Sequence, residues 1–233
     1  LRPLLAVQQR ASAPPVPGAV LVEHLVSREG HHLYVYPFAG RQVHLALGTL
    51  WAWRYARVVP RQVSVSFNDY GLELLSDEPL DPDVLPTLLD TGDLLADVLH
   101  SINAAELSMR RFREIARVSG LVFPGFPGAN KSAKQLQASS SLFFEVFRKH
   151  DPANLLLTQA EREVLRQEYE IDRLEATLRD LRARRWDVFR IARVTPFAMP
   201  LLVERFRERL STRDLQDRLQ RLLAELNADA GQP

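Results

Sequence analysis

Apolar residues follow two different rhythms along the chain. Residues 20–28 and 32–38 are rich in β-formers, the second run alternating Leu33 and Val35 with Tyr34 and Tyr36. Glu29-Gly30-His31 between them predicts a hairpin. Residues 41–58 set Val43, Leu47, Leu50 and Trp51 on one helical stripe that Arg54 continues and Pro60 ends. Alternation returns over 62–67 and 72–75 around an Asn68-Asp69-Tyr70-Gly71 turn, predicting a second hairpin. After Pro79 the rhythm is helical, over 83–89, 93–102, 105–118, 131–149, a segment opened by Asp151-Pro152 and running through 165, and 171–185. The Phe-Pro-Gly-Phe-Pro-Gly run from Phe123 cannot be helix and predicts a double turn. Residues 186–194 alternate as a late strand. Thr195-Pro196 opens a further helix, and Ser211 with Asp214 caps a last one striped by Leu215, Leu219, Leu222 and Leu226.

These elements predict an α+β fold, a small antiparallel β-sheet with a helix in the N-terminal third, followed by a mainly helical region with one late strand. The expected division has a helix tail and a Pro-rich linker over 1–17, where Ala-Pro-Pro-Val-Pro-Gly stiffens the chain. A sheet-plus-helix subdomain covers 18–80, a helical subdomain with the late strand 81–226, and a disordered tail 227–233.

Composition narrows the class. The 233 residues are 46% hydrophobic and 25% charged, enough for a packed core and incompatible with disorder or collagen. No cysteine occurs, which removes disulfides, thiolate nucleophiles and cysteine-rich zinc sites and fits a cytoplasmic location. The apolar stretches are too short to cross a bilayer, and the start, which is not Met, carries no secretory signal, so the chain reads as a fragment without membrane attachment.

A net charge of +1 conceals strong segregation. Residues 62–109 hold ten acids and no Lys or Arg, whereas residues 110–149 hold eight cations against Glu114 and Glu145. Screening over about 8–10 Å lets such a basic tract address a polyanion although the whole chain is nearly neutral. The competing reading is that the acidic and basic segments neutralise each other.

Candidate chemistry follows from that tract. Arg110, Arg113 and Arg117 fall at i, i+3 and i+7 and align three guanidinium groups, which suit bidentate contacts to phosphate oxygens. Lys131 and Lys134 continue the positive charge. Gln135, Gln137 and Ser139-Ser140-Ser141 add donors for sugar and phosphate oxygens. Phe123 and Phe126 lie between the two basic helices, where a base could stack on them, or where they could anchor the turn into the core. No phosphate-cradling Gly-x-x-x-x-Gly-Lys-Ser/Thr loop, Gly-x-Gly-x-x-Gly or Gly-x-Ser-x-Gly occurs, so no ATP site and no catalytic residue is expected. His31 and His32 point to opposite faces of a strand and lack partners at zinc spacing, so no metal site is expected. Asp69, Asp77 and Glu78 read as solvated turn residues.

Several stretches carry a resemblance together: Glu29-Gly-His-His-Leu-Tyr-Val-Tyr-Pro-Phe-Ala-Gly-Arg41, Asn68-Asp-Tyr-Gly-Leu-Glu-Leu-Leu75, Arg111-Phe-Arg-Glu-Ile-Ala116, Lys134-Gln-Leu-Gln-Ala-Ser-Ser-Ser141, Asp151-Pro-Ala-Asn-Leu-Leu-Leu157 and Thr195-Pro-Phe-Ala-Met-Pro-Leu-Leu202. They resemble the DEAD/H-associated C-terminal region, domain 4, of Lhr-type superfamily 2 helicases, most closely the ligase-associated DEXH-box branch. The resemblance spans residues 1–223. It implies a parent polypeptide with two RecA-like motor domains and a winged-helix domain, which uses ATP and Mg2+ to translocate 3′-to-5′ on single-stranded DNA and to unwind duplexes, RNA:DNA hybrids among them, in DNA repair. This chain would then be a non-catalytic partner of those domains, without cofactor of its own, that grips the tracking strand in a nucleoid-associated complex. Its matching motifs place Arg111 to Glu114 and Lys134 to Gln137 at the strand. The alternative is a structural domain that docks on the winged helix and motors without touching nucleic acid.

Overall fold

A computed structural model describes residues 2–102, 104–123, 125–126, 129–130, 132–167 and 169–209. The chain divides into two compact units, one made of Leu1–Val98 with Asp172–Pro233 and the other of Leu99–Ile171. Residues 99–171 form a helical unit of their own, and the late strand belongs with the N-terminal sheet.

The first unit is built on strands β1 (Ala19–Ser27), β2 (Gly30–Tyr36), β3 (Ser64–Phe67), β4 (Leu72–Ser76) and a late strand, here β7 (Arg185–Ile191), in the order β3-β4-β2-β1-β7. The first four pair antiparallel as the two predicted hairpins require, with Ser27 opposite Gly30 and Phe67 opposite Leu72. Strand β7 runs parallel to β1, Ala19 opposite Arg185 through Leu25 opposite Ile191, so the sheet is mixed rather than antiparallel. A parallel neighbour needs a long crossover, and here that crossover contains the whole second unit.

Period-two alternation sorts the residues onto two faces. Helix α2 (Arg41–Val58) covers one face, against β3 and β4, and buries Val43, Ala46, Leu47, Leu50 and Trp51. Its Trp51 ring meets Trp186 of β7 with centroids 6.0 Å apart. Arg54, the polar end of the predicted stripe, is nearly buried. It donates from Nε and Nη2 to Asp97 Oδ2 at 2.9 and 2.6 Å, and from Nη1 to the carbonyls of Leu88 and Asp90. Part of the acidic stretch is therefore neutralised from α2, with Glu78 paired to Arg61 at 3.1 Å.

The opposite face joins Leu21, Leu25, Tyr34 and Tyr36 to Ala198 and Leu201 of the last described helix, α8 (Ala198–Arg209). Two buried carboxylates stand among these apolar groups. Glu23 accepts hydrogen bonds from Gln8 Nε2 at 2.7 Å, Tyr36 OH at 2.8 Å and Thr195 Oγ1 at 2.7 Å. It thus ties the N-terminal helix α1 (Arg2–Ala11), β2 and the start of α8 to β1. Thr195 Oγ1 also accepts from Ala198 N at 3.1 Å, the cap expected of Thr195-Pro196. Glu73 lies 2.7 Å from His32 Nδ1, whose Nε2 meets Ser27 Oγ at 2.7 Å, and Arg205 of α8 reaches Glu29 at 2.6 Å and Glu73 at 3.5 Å.

The loop between β2 and α2 and the turn of the second hairpin are locked together by a buried imidazole. His44 Nδ1 meets the Asn68 carbonyl at 2.7 Å, and its Nε2 accepts from Ala39 N at 3.0 Å. Only the neutral ring can make both bonds. Burial pushes the His44 pKa below its ordinary 6.5, outweighing the Asn68 carbonyl and Asp69, which raise it, while Arg173 lowers it further. Because the folded pKa is depressed, the unfolded chain takes up the proton first. The stability is present above about pH 6.5 and is lost as pH falls below it. Denaturant midpoints measured between pH 7.5 and 5.5 should fall with acidification, and His44→Gln should flatten that dependence. His24, lowered by burial and by His31, Arg190 and His32, acts in the same direction.

In the second unit, α4 (Ala104–Val118) packs on α5 (Ala133–His150) and α6 (Leu155–Gln167). Phe112, Ala116, Val122, Phe144, Leu157 and Ala160 form its core. Between α4 and α5, Gly125–Phe126 pairs with Ala129–Asn130 as a minimal hairpin, the form taken by the predicted double turn. Helix α6 begins at Leu155 rather than at Asp151-Pro152: Asp151 ends α5, and Asn154 Oδ1 accepts from Leu156 N at 3.0 Å. The helix expected after Ser211 and the 227–233 tail lie outside the described residues.

Candidate nucleic-acid interface

Helix α4 is amphipathic, and Phe112 and Ala116 turn its apolar stripe inward. Arg113 and Arg117, one turn apart, leave on an adjacent stripe and together line a groove of about 310 Å³. The opposite wall is α5, through Leu136, Gln137 and Ser140. Val122 completes the lining: Gly120, at φ 76°, turns the chain back so that Val122 N bonds the Ala116 carbonyl at 3.0 Å. The groove therefore has an apolar floor, two guanidinium groups and one primary amide, with Glu114 as its acid.

The arginines divide by role. Arg113 is half-buried, and its Nε has no hydrogen-bond partner among the described residues. Arg117 and Arg110 are exposed, but Arg110 is not part of the groove lining. Arg111 is directed elsewhere, to Glu114 at 3.1 Å and Glu163 of α6 at 3.9 Å. Glu114 lines the groove, and its charge is shared with Arg111 at 3.1 Å.

Helix α5 splits its expected ligands in the same way. Gln137 lines the groove, and Lys134 is exposed in the first turn of α5 outside the lining. Gln135 is committed to a capping box, its Oε1 accepting from Ser132 N at 2.9 Å while Ser132 Oγ accepts from Gln135 N at 3.3 Å. Ser140 donates to the Leu136 carbonyl and Ser141 to Met109 Sδ at 3.6 Å, so these hydroxyls serve helix packing. Phe123 is 48% exposed and stands outside the apolar core that Phe112 and Phe144 build in this unit. Lys131 and the Phe126 side chain lie outside the described residues.

Sequence reasoning missed the Glu23 and Glu73 networks. Glu23 carries a local signal, alternating in phase with Leu21 and Leu25 on the inward face; Glu73 does not, because its neighbours Leu72 and Leu74 point to the opposite face and alternation alone would turn it outward. Among the described residues, no group of three or more His, Cys, Asp or Glu is placed to hold a metal ion. No described helix is long and apolar enough to cross a membrane.

Known proteins place the chain in a family. The DEAD/H associated family model matches residues 14–198. The chain is 24% identical over 173 residues to the ATP-dependent helicase Lhr-Core protein 2 of Thermococcus barophilus, covering 73% of this chain and 20% of that protein. It is 24% identical over 200 residues to the ATP-dependent helicase Lhr-Core of Methanocaldococcus jannaschii, covering 84% and 23%. Its fold matches a solved structure of the Mycobacterium smegmatis helicase Lhr bound to ssDNA and AMP-PNP with a TM-score of 0.63 at 22% identity, over 85% of this chain and 26% of that one. The chain thus spans about a quarter or less of the length of these relatives. With its sheet, its inserted helical unit and most of its length within the matched region, the chain belongs to the DEAD/H associated family found in Lhr-type helicases.

Proposed function

We propose that the chain is a non-catalytic part of an ATP-dependent 3′-to-5′ DNA helicase and that it grips the single-stranded tracking strand, in DNA repair, beside RecA-like and winged-helix domains of the same polypeptide. ATP and Mg2+ act at those motors, and RNA:DNA hybrids are among the duplexes unwound. The observation that carries the reading is the groove: Arg113 and Arg117 on α4 face Gln137 on α5 across an open trough. Arginine supplies planar, bidentate contacts to phosphate oxygens, and Gln137 can donate to sugar or phosphate. The grip is sequence-independent, since no contact of this kind reads base identity.

Single-strand binding by the 233-residue chain across a salt series tests the reading. Releasing two phosphates should reduce the slope of log K on log salt by about 1.4. Arg113→Ala with Arg117→Ala is expected to give that change and to weaken all sequences alike. Arg111→Ala should have a smaller effect, because that guanidinium already serves Glu114 and Glu163. An unchanged slope in the double variant would reject the groove as the grip and leave the docking alternative.

A further inference from the structure

Two exposed aromatic side chains in the first unit stand on backbone that is unusually fixed. Phe38 is 49% exposed and Tyr70 63% exposed. Phe38 has φ 56°, in the left-handed region that a bulky aromatic residue avoids. Its N–H donates to the Tyr70 carbonyl at 3.3 Å, so the two loops are neighbours. Each loop is pinned again from beneath. His44 joins Ala39 to Asn68, and Arg173 Nη2 donates to the Ala39 carbonyl at 2.6 Å. Asn68 Oδ1 accepts from Tyr70 N and Gly71 N at 2.8 and 3.0 Å. At Gly71 a Cβ would stand 2.5 Å from the Val35 carbonyl oxygen, so only glycine closes this turn. Strained backbone held by surrounding structure is a recurring property of ligand sites.

We propose that Phe38 and Tyr70 form a stacking platform for the bases of single-stranded nucleic acid. The proposal rests on the nucleic-acid reading above and adds a second, chemically different contact to it. Charges around the platform come in both signs: Asp69 lies between Asn68 and Tyr70 in the chain, and Arg41 is held 3.5 Å from Glu204 and 5.1 Å over the Phe67 ring. A balanced field does not select phosphate, whereas two exposed rings on rigid backbone offer faces on which any base can stack at little entropic cost. The polar and charged surroundings suit a wet, planar ligand better than an aliphatic one. Unlike the groove, the platform should contribute affinity that salt does not remove.

The 233-residue chain is titrated with an oligothymidylate and with an abasic deoxyribose-phosphate strand of equal length, each over a salt series. The oligothymidylate should bind at least about tenfold more tightly. Phe38→Gly with Tyr70→Ala should abolish that difference while leaving the salt slope and the abasic affinity unchanged. Tyr70→Phe should restore part of it. Phe38→Gly also relieves the positive φ, so retained or raised thermal stability would show that lost binding is not lost folding. Equal affinities of the unmodified chain for the two strands, or equal losses on both in the variant, would overturn the platform and leave the groove standing. Absence of binding to either strand would overturn both readings.

Discussion

Glu23→Ala is expected to destabilise the sheet unit by about 3–5 kcal/mol, because it strands the buried Tyr36 and Thr195 hydroxyls and leaves Gln8 Nε2 with the Ala13 carbonyl alone. Gln8 Nε2, Tyr36 OH and Thr195 Oγ1 all end on this one carboxylate, and no water-facing alternative lies beside a side chain with 0% exposure. The Tyr36 hydroxyl cannot escape by ionising, since burial and then the Glu23 charge push its pKa well above its usual value. Glu23→Gln keeps the shape and one strong acceptor but turns a donor toward a donor, and should cost only about 1–2 kcal/mol. Hydrogen exchange separates this from a general loss of fold. Amides of β1 and of the first turn of α8 should lose protection together, although they are far apart in the chain, because Glu23 is their common tie. Separate, unequal losses would show that the carboxylate does not couple them.

Phe112→Ala should have a comparable effect on the other unit. Phe112 is fully buried, and its ring meets Phe144 edge-on at 5.5 Å and Phe147 at 6.0 Å, both on α5. Truncation opens a cavity at the seam between α4 and α5 and is expected to cost about 3–5 kcal/mol. The same seam spaces the groove walls, so strand affinity should fall although Phe112 is not a lining residue. Exchange protection should drop over α4, α5 and α6 while the β-sheet keeps its own. Phe112→Leu, which retains most of the volume, should recover most of both stability and affinity. Affinity that survives the Ala substitution intact would mean that the groove geometry does not matter for binding.

Legibility in the sequence follows the range of the interaction. Helix α2 is readable over Arg41–Val58 because its stripe and the Pro60 that follows it are local signals. The hairpins are readable for the same reason. The partner of the late strand is not: pairing of residues 19–25 with 185–191 leaves no trace near either segment. Within the groove, the i, i+4 spacing of Arg113 and Arg117 is legible, and so is the helix carrying Gln137. The commitments of Gln135 and Arg111 are harder to see. The Ser132-x-x-Gln135 capping signal is in the chain, but it competes with a ligand role for the same amide, and the attraction of Arg111 toward Glu163 depends on how α6 packs. The acidic stretch likewise finds its cation in Arg54, which sequence distance hides.

The parallel pairing of β7 with β1 bears on biosynthesis. A ribosome releases β1 long before Arg185, so the nascent sheet has an open hydrogen-bonding edge throughout translation of residues 99–171. Thr195, the last donor to Glu23, emerges later still. A chain that stalls before this point presents a naked strand and a half-satisfied buried acid, the combination that chaperones and proteases engage.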